Sequence, residues 1–171
     1  MSLRSIISLI TFPGVMMHEW AHKKFCNWTG VYVQKVAYFR FGETAGYVEH
    51  NTPDTYTQTF WIATGPLLIN TLFTYGLAII SSHFEPLSTP HLIFLWLALS
   101  IGMHAFPSNH DMSHISSHTS ILRYFALPLV WIIKTANHLR IFWIDAIYAI
   151  LIISLGGGFN WLYLYIQDLV F

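Results

Sequence analysis

Along the 171-residue chain, apolar positions run in long stretches broken by short polar interruptions. The pattern predicts a first helix over about Leu3 to Phe25, with Pro13 and Gly14 loosening the backbone one turn before His18. Residues 31–41 (VYVQKVAYFRF) are rich in β-branched and aromatic types. Gly42 and Glu43 intervene before residues 45–50 resume the pattern, which reads as a hairpin closed by Asn51, Thr52, Pro53 and Asp54. Four more helices are expected, over about Tyr56 to Ser81, His91 to Phe106, Ile121 to Ala136 and Ile141 to Ile166. The last carries Gly156, Gly157 and Gly158 in its middle, where small residues allow close packing or a bend. Between the third and fourth helices, Ser108 to Ser120 is polar and rich in histidine.

Composition sharpens this outline. Hydrophobic residues make up 54% of the chain and charged residues only 9%, against about a quarter in ordinary globular domains. The expected fold is therefore an all-α integral membrane protein, multi-pass, with about five transmembrane helices and a small β-hairpin insertion after the first helix. Residues 1–171 are expected to form a single membrane-embedded domain, with core motifs in 13–111 and C-terminal helices in 121–168. Arg4 followed by an apolar run is like a signal peptide, but without a small-residue cleavage site it reads as a retained first helix. Lys23, Lys24, Lys35 and Arg40 cluster between the first two long helices, which assigns that loop to the cytoplasmic side. With eight basic and eight acidic residues there is no basic face, so a nucleic-acid partner is not expected. Cys26 stands alone, which excludes an internal disulfide and a cysteine zinc cage.

The candidate chemistry lies in His18-Glu19-Trp20-Ala21-His22, an H-E-x-x-H segment. Histidines four apart on a helix share one face, so both imidazoles can reach one metal, and Glu19 is placed to take a proton from water at that metal. A catalytic zinc takes three protein ligands and keeps an open position. The third ligand is sought among Asp111, His104, His110, His114, His118 and His50, and Asp111 leads. It follows Phe106, Pro107 and Ser108 at the end of a hydrophobic span, where a carboxylate is costly unless paired or metal-bound. His110, His114 and His118 recur every four residues and form one stripe on a helix, open to a second metal site, a pH-sensing role or a solvated face.

In order, His18-Glu19-Trp20-Ala21-His22, Gly65-Pro66-Leu67-Leu68-Ile69-Asn70 and His104-Ala105-Phe106-Pro107-Ser108-Asn109-His110-Asp111 resemble the motifs of the site-2 protease class of intramembrane zinc metallopeptidases. The resemblance covers about Pro13 to Asp111 and marks a divergent, minimal member. It implies Zn2+ held by His18, His22 and Asp111, Glu19 as the catalytic base, and Asn70 or His104 as substrate or oxyanion contacts. It further implies cleavage of peptide bonds in membrane protein or peptide substrates, with a regulatory membrane partner. Two other readings are open: a non-enzymatic metal-binding or pseudoprotease scaffold, and a membrane di-iron oxidase using the His-x-x-x-His pairs.

Overall fold

The computed structural model describes residues 3–41, 45–117, 123–138 and 142–170. Its elements are helices α1 (Leu3–Ile10) and α2 (Phe12–Thr29), strands β1 (Val33–Ala37) and β2 (Tyr47–His50), then helices α3 (Tyr56–Ser82), α4 (Thr89–Gly102), α5 (Asn109–Ser117), α6 (Arg123–His138), α7 (Phe142–Leu155) and α8 (Asn160–Val170). Helix α2 starts with a proline in its first turn and ends at Gly30, whose φ of 78° suits the left-handed cap that glycine takes most readily. Strands β1 and β2 pair antiparallel, Val36 opposite Val48 and Ala37 opposite Tyr47, with an irregularity between Val33 and Lys35. Thr55 and Gln58 cap α3 reciprocally.

Helix α3 is the spine. Its Ile62 packs with Phe25, Cys26 and Val31 on the α2 side. Tyr56 and Ala63 pack with Met112, Val130 and Ile133 of α5 and α6. Ala78 packs with Ala98 and Ile153 of α4 and α7. Glycines let these helices touch. A Cβ on Gly14 of α2 would lie 1.8 Å from the Ser100 carbonyl oxygen of α4, and one on Gly65 of α3 would lie 2.1 Å from the Phe25 ring.

The five-span bundle does not form. Among the described residues only α3, at 27 residues, is long and apolar enough to cross a membrane, and α7 with α8 passes the same test only as a pair bent by 77°. The reasons are local. The first expected helix is broken at Thr11, which leaves the helical region at φ −105° and ψ 32° two residues before Pro13, a residue with no N–H to return to the Leu9 carbonyl. Helix α4 has 14 residues, about 21 Å of rise, against the roughly 30 Å of a bilayer core. Gly156–Gly158 end α7, where Gly157 adopts φ 80°. The expectations of a multi-pass integral membrane protein, of intramembrane cleavage, of membrane-protein substrates and of a regulatory membrane partner rest on that span count and fall with it. The apolar excess instead divides between the clusters around α3 and uncovered side chains such as Leu72, Trp131, Trp143 and Leu155.

The α2–α4 contact gives a direct stability test. Gly14→Ala should destabilise the fold by about 3 kcal/mol, because the obstacle is backbone rather than a flexible side chain. Gly76→Ala, inside α3 with open space around it, should be neutral or stabilising by up to about 1 kcal/mol. Urea denaturation of the two variants checks the contrast.

Candidate metal centre

His18 and His22 lie one turn apart on α2 and face the start of α5 across the end of α4. The His18 Nδ1 donates to the His104 carbonyl at 2.7 Å, and the His22 Nδ1 donates to the Ile62 carbonyl at 2.8 Å. A carbonyl oxygen only accepts, so each Nδ1 carries its hydrogen and each Nε2 is left as the lone-pair or second-proton position. These two Nε2 atoms face each other at 3.1 Å. The Asp111 Oδ2 sits 3.6 Å from the His22 Nε2. All three ligand atoms lie within 4.8 Å of one another.

Asp111 is held by its own helix terminus. Ser108 donates its backbone N–H at 2.8 Å and its hydroxyl at 2.7 Å to Oδ2, while the Asp111 N–H returns a bond of 3.2 Å to the Ser108 hydroxyl. This is a reciprocal cap at the start of α5, and it fixes the carboxylate before any metal arrives. The Ser-x-x-Asp spacing was present in the sequence and points to this partner; Ser108 is the site residue that the motif reading missed.

The donor set fits a divalent ion. Two imidazole nitrogens and a carboxylate oxygen at about 2.0–2.1 Å from a tetrahedral centre would be separated by about 3.3–3.4 Å. The His18–His22 spacing of 3.1 Å and the His22–Asp111 spacing of 3.6 Å lie within a few tenths of this, and the set as a whole, spread over 4.8 Å, would draw in around an ion. Both histidines also have the backbone acceptor on the far ring nitrogen that metal-bound imidazoles use. His18, Glu19 and Asp111 each retain partial exposure, so the centre is open on one side.

The electrostatics agree. Burial, helped by neighbouring His22, pushes His18 down to about 3. Burial is the largest single influence on His22 and works against its charge, but the Asp111 carboxylate, joined by Glu19 and the Ile62 carbonyl, raises its pKa overall. Burial alone would raise Asp111, and the positive charge on His22 reverses this and holds the carboxyl well below its ordinary range. Without metal, one proton therefore resides on His22 between the other two ligands, and metal binding must displace it. Glu19, buried against the start of β2, is pushed up to about 7 by desolvation. A Cβ on Gly46 would come within 2.7 Å of the Glu19 Cγ, so a bare backbone is what lets the hairpin lie against this carboxylate.

The remaining expected residues fall around this core. The Asn70 amide nitrogen reaches the His104 carbonyl at 2.8 Å and the Ile101 carbonyl at 3.4 Å. The His104 imidazole is paired with the Thr11 hydroxyl at 2.8 Å, and burial pulls its pKa down to about 4. His50 ends β2 and donates its Nδ1 hydrogen to the Asn51 carbonyl, away from the centre. His110 is exposed. The His114 side chain and the whole of His118 lie outside the described residues, so the histidine stripe is not seen as a unit. Among the described residues, His18, His22 and Asp111 are the one group placed to hold a metal ion. No family model, curated protein or solved structure matches this chain.

The raised Glu19 pKa has a sign that can be tested in metal-free protein. The folded state keeps the proton up to about pH 7 whereas the unfolded chain loses it near 4.5, so stability is full below about pH 4.5 and falls as pH rises to 7. Glu19→Gln removes this loss. Its stability relative to wild type should rise by about 3 kcal/mol between pH 4.5 and pH 8, read by urea denaturation after chelation. A pH-independent difference would refute the assignment.

Proposed function

We propose that the chain is a zinc-dependent hydrolase acting on peptide bonds, with His18, His22 and Asp111 as metal ligands and Glu19 as general base. The observation that carries this reading is the pair of Nε2 atoms 3.1 Å apart, each imidazole locked by a backbone carbonyl, with the Asp111 carboxylate beside them. A divalent ion held there by His18, His22 and Asp111 would supply a Lewis acid and make a water at the centre more acidic. Glu19, one residue from His18 on α2, would take a proton from water at that ion and pass it to the leaving amine. A structural metal site has no need of such a base next to its ligands.

Peptide as the substrate class is supported by two features. The order of the three motifs resembles the site-2 protease class, and this bears on the chemistry of the centre without a multi-span bundle. The β1–β2 hairpin also brings backbone at Gly46 against Glu19, so an extended peptide pairing with a strand edge would pass beside the base.

The test is elemental analysis together with cleavage of an unstructured protein by purified wild type, Glu19→Gln and His22→Ala. Wild type should retain about one zinc per chain and hydrolyse the substrate. Glu19→Gln should keep the metal and lose at least about 10²-fold in rate, and His22→Ala should lose both. Metal without hydrolysis in wild type would leave a metal-binding scaffold, and undiminished hydrolysis by Glu19→Gln would remove Glu19 from the mechanism.

A further inference from the structure

Helix α3 carries a fully buried proline, Pro66, in its interior. In an α-helix each carbonyl accepts from the N–H four residues on, so the Ile62 carbonyl would ordinarily bond to residue 66. Proline has no N–H, and its ring presses the carbonyl of the residue four before it away from the helix axis. The acceptor freed in this way is the Ile62 carbonyl, which takes the His22 Nδ1 hydrogen at 2.8 Å from the neighbouring helix.

One turn further along the same face, Asn70 is fully buried. Its amide nitrogen donates to the His104 carbonyl at 2.8 Å, and that carbonyl is also the acceptor for the His18 Nδ1 hydrogen at 2.7 Å. The amide cannot be turned over, because its oxygen would then face two carbonyl oxygens, those of Ile101 and His104. Positions 62, 66 and 70 repeat every four residues and form one row along α3. A single helix face thus reaches both histidines through the hydrogens on their far nitrogens.

We propose that Pro66 and Asn70 are positioning residues of the metal centre. Pro66 releases the Ile62 carbonyl to fix the tautomer and ring orientation of His22, and Asn70 anchors the His104 carbonyl that does the same for His18. The proposal rests on His18, His22 and Asp111 being a metal site, and it assigns a role to a proline that is otherwise unfavourable inside a helix. Neither residue touches the metal or the substrate; both act through a carbonyl.

The test uses the full chain, stripped with chelator and titrated with Co2+, whose visible spectrum reports ligand geometry, alongside the melting temperature of the metal-free protein. Pro66→Ala restores an N–H that competes for the Ile62 carbonyl. It should weaken Co2+ binding about 10- to 100-fold and alter the spectrum, while the metal-free melting temperature is unchanged or raised. Opposite signs of this kind do not arise from a merely structural proline. Asn70→Ala should weaken Co2+ binding to a similar degree. Thr74→Ala, which removes a bond of 3.3 Å to the Ala98 carbonyl on the same α3–α4 seam one turn beyond Asn70, should leave it within about twofold.

Wild-type affinity and spectrum in Pro66→Ala, or an affinity loss that merely follows a lowered melting temperature, would overturn the role of Pro66. Equal effects of Asn70→Ala and Thr74→Ala would overturn that of Asn70. Wild-type protein that binds no Co2+, or binds it undiminished in His22→Ala, would overturn the metal centre itself, a result separate from both.

Discussion

Two imidazole nitrogens held 3.1 Å apart with their lone pairs turned toward one another set the terms for the rest of this structure. Lone pairs in that position repel unless a positive charge lies between them, and a proton or a metal ion is the species small enough to fit. The arrangement is imposed from outside the pair, by carbonyls of Ile62 and His104 that take the opposite ring hydrogens. Those carbonyls belong to α3 and to the turn just after α4, so α2 must pack closely against both. Gly14 against the Ser100 carbonyl and Gly65 against the Phe25 ring are where that closeness is achieved.

Charge at the centre follows from the same packing. Asp111 lies beside His22 because the turn after α4 starts a new helix at Asn109, and its Ser108 cap orients the carboxylate. In an environment of reduced polarity this negative charge, with Glu19 and the Ile62 carbonyl, raises the His22 pKa against burial, while desolvation and the neighbouring His22 keep His18 neutral. Glu19 is desolvated without an equal partner and holds its proton nearer neutrality. The carboxyls of Glu19 on α2 and Asp111 on α5 are thereby driven in opposite directions by their surroundings, the separation that distinct acid–base roles require.

The element pattern was largely legible. The strand pair after the second helix, the long α3 beginning at Tyr56 and the polar segment beyond Pro107 all follow from periodicity and turn residues. The breaks were less so. Thr11 interrupts the first apolar run where its backbone leaves the helical region and its hydroxyl pairs with His104, a residue far along the chain, and hydropathy averaged over a window carries no trace of that bond. The glycines at 156–158 were visible, but whether they bend a helix or end it depends on what packs there, here Ala78 and the Tyr75 carbonyl against Gly156.

At the site, the sequence by itself determined that His18 and His22 share a helix face with Glu19 between them, because the four-residue spacing fixes their direction once the helix forms. It also singled out Asp111 as the leading candidate for a third ligand by its place after an apolar stretch. Only the tertiary structure decided that Asp111 reaches His22, that His104 contributes its carbonyl to His18 while its ring turns to Thr11, and that Ile62 supplies the acceptor for His22. The physical reason is that these are contacts between segments 40 to 93 residues apart, many through backbone atoms that every residue type possesses. A side-chain alphabet records which groups can coordinate or transfer a proton, and the packing of α2, α3 and α4 decides which backbone groups hold them in place.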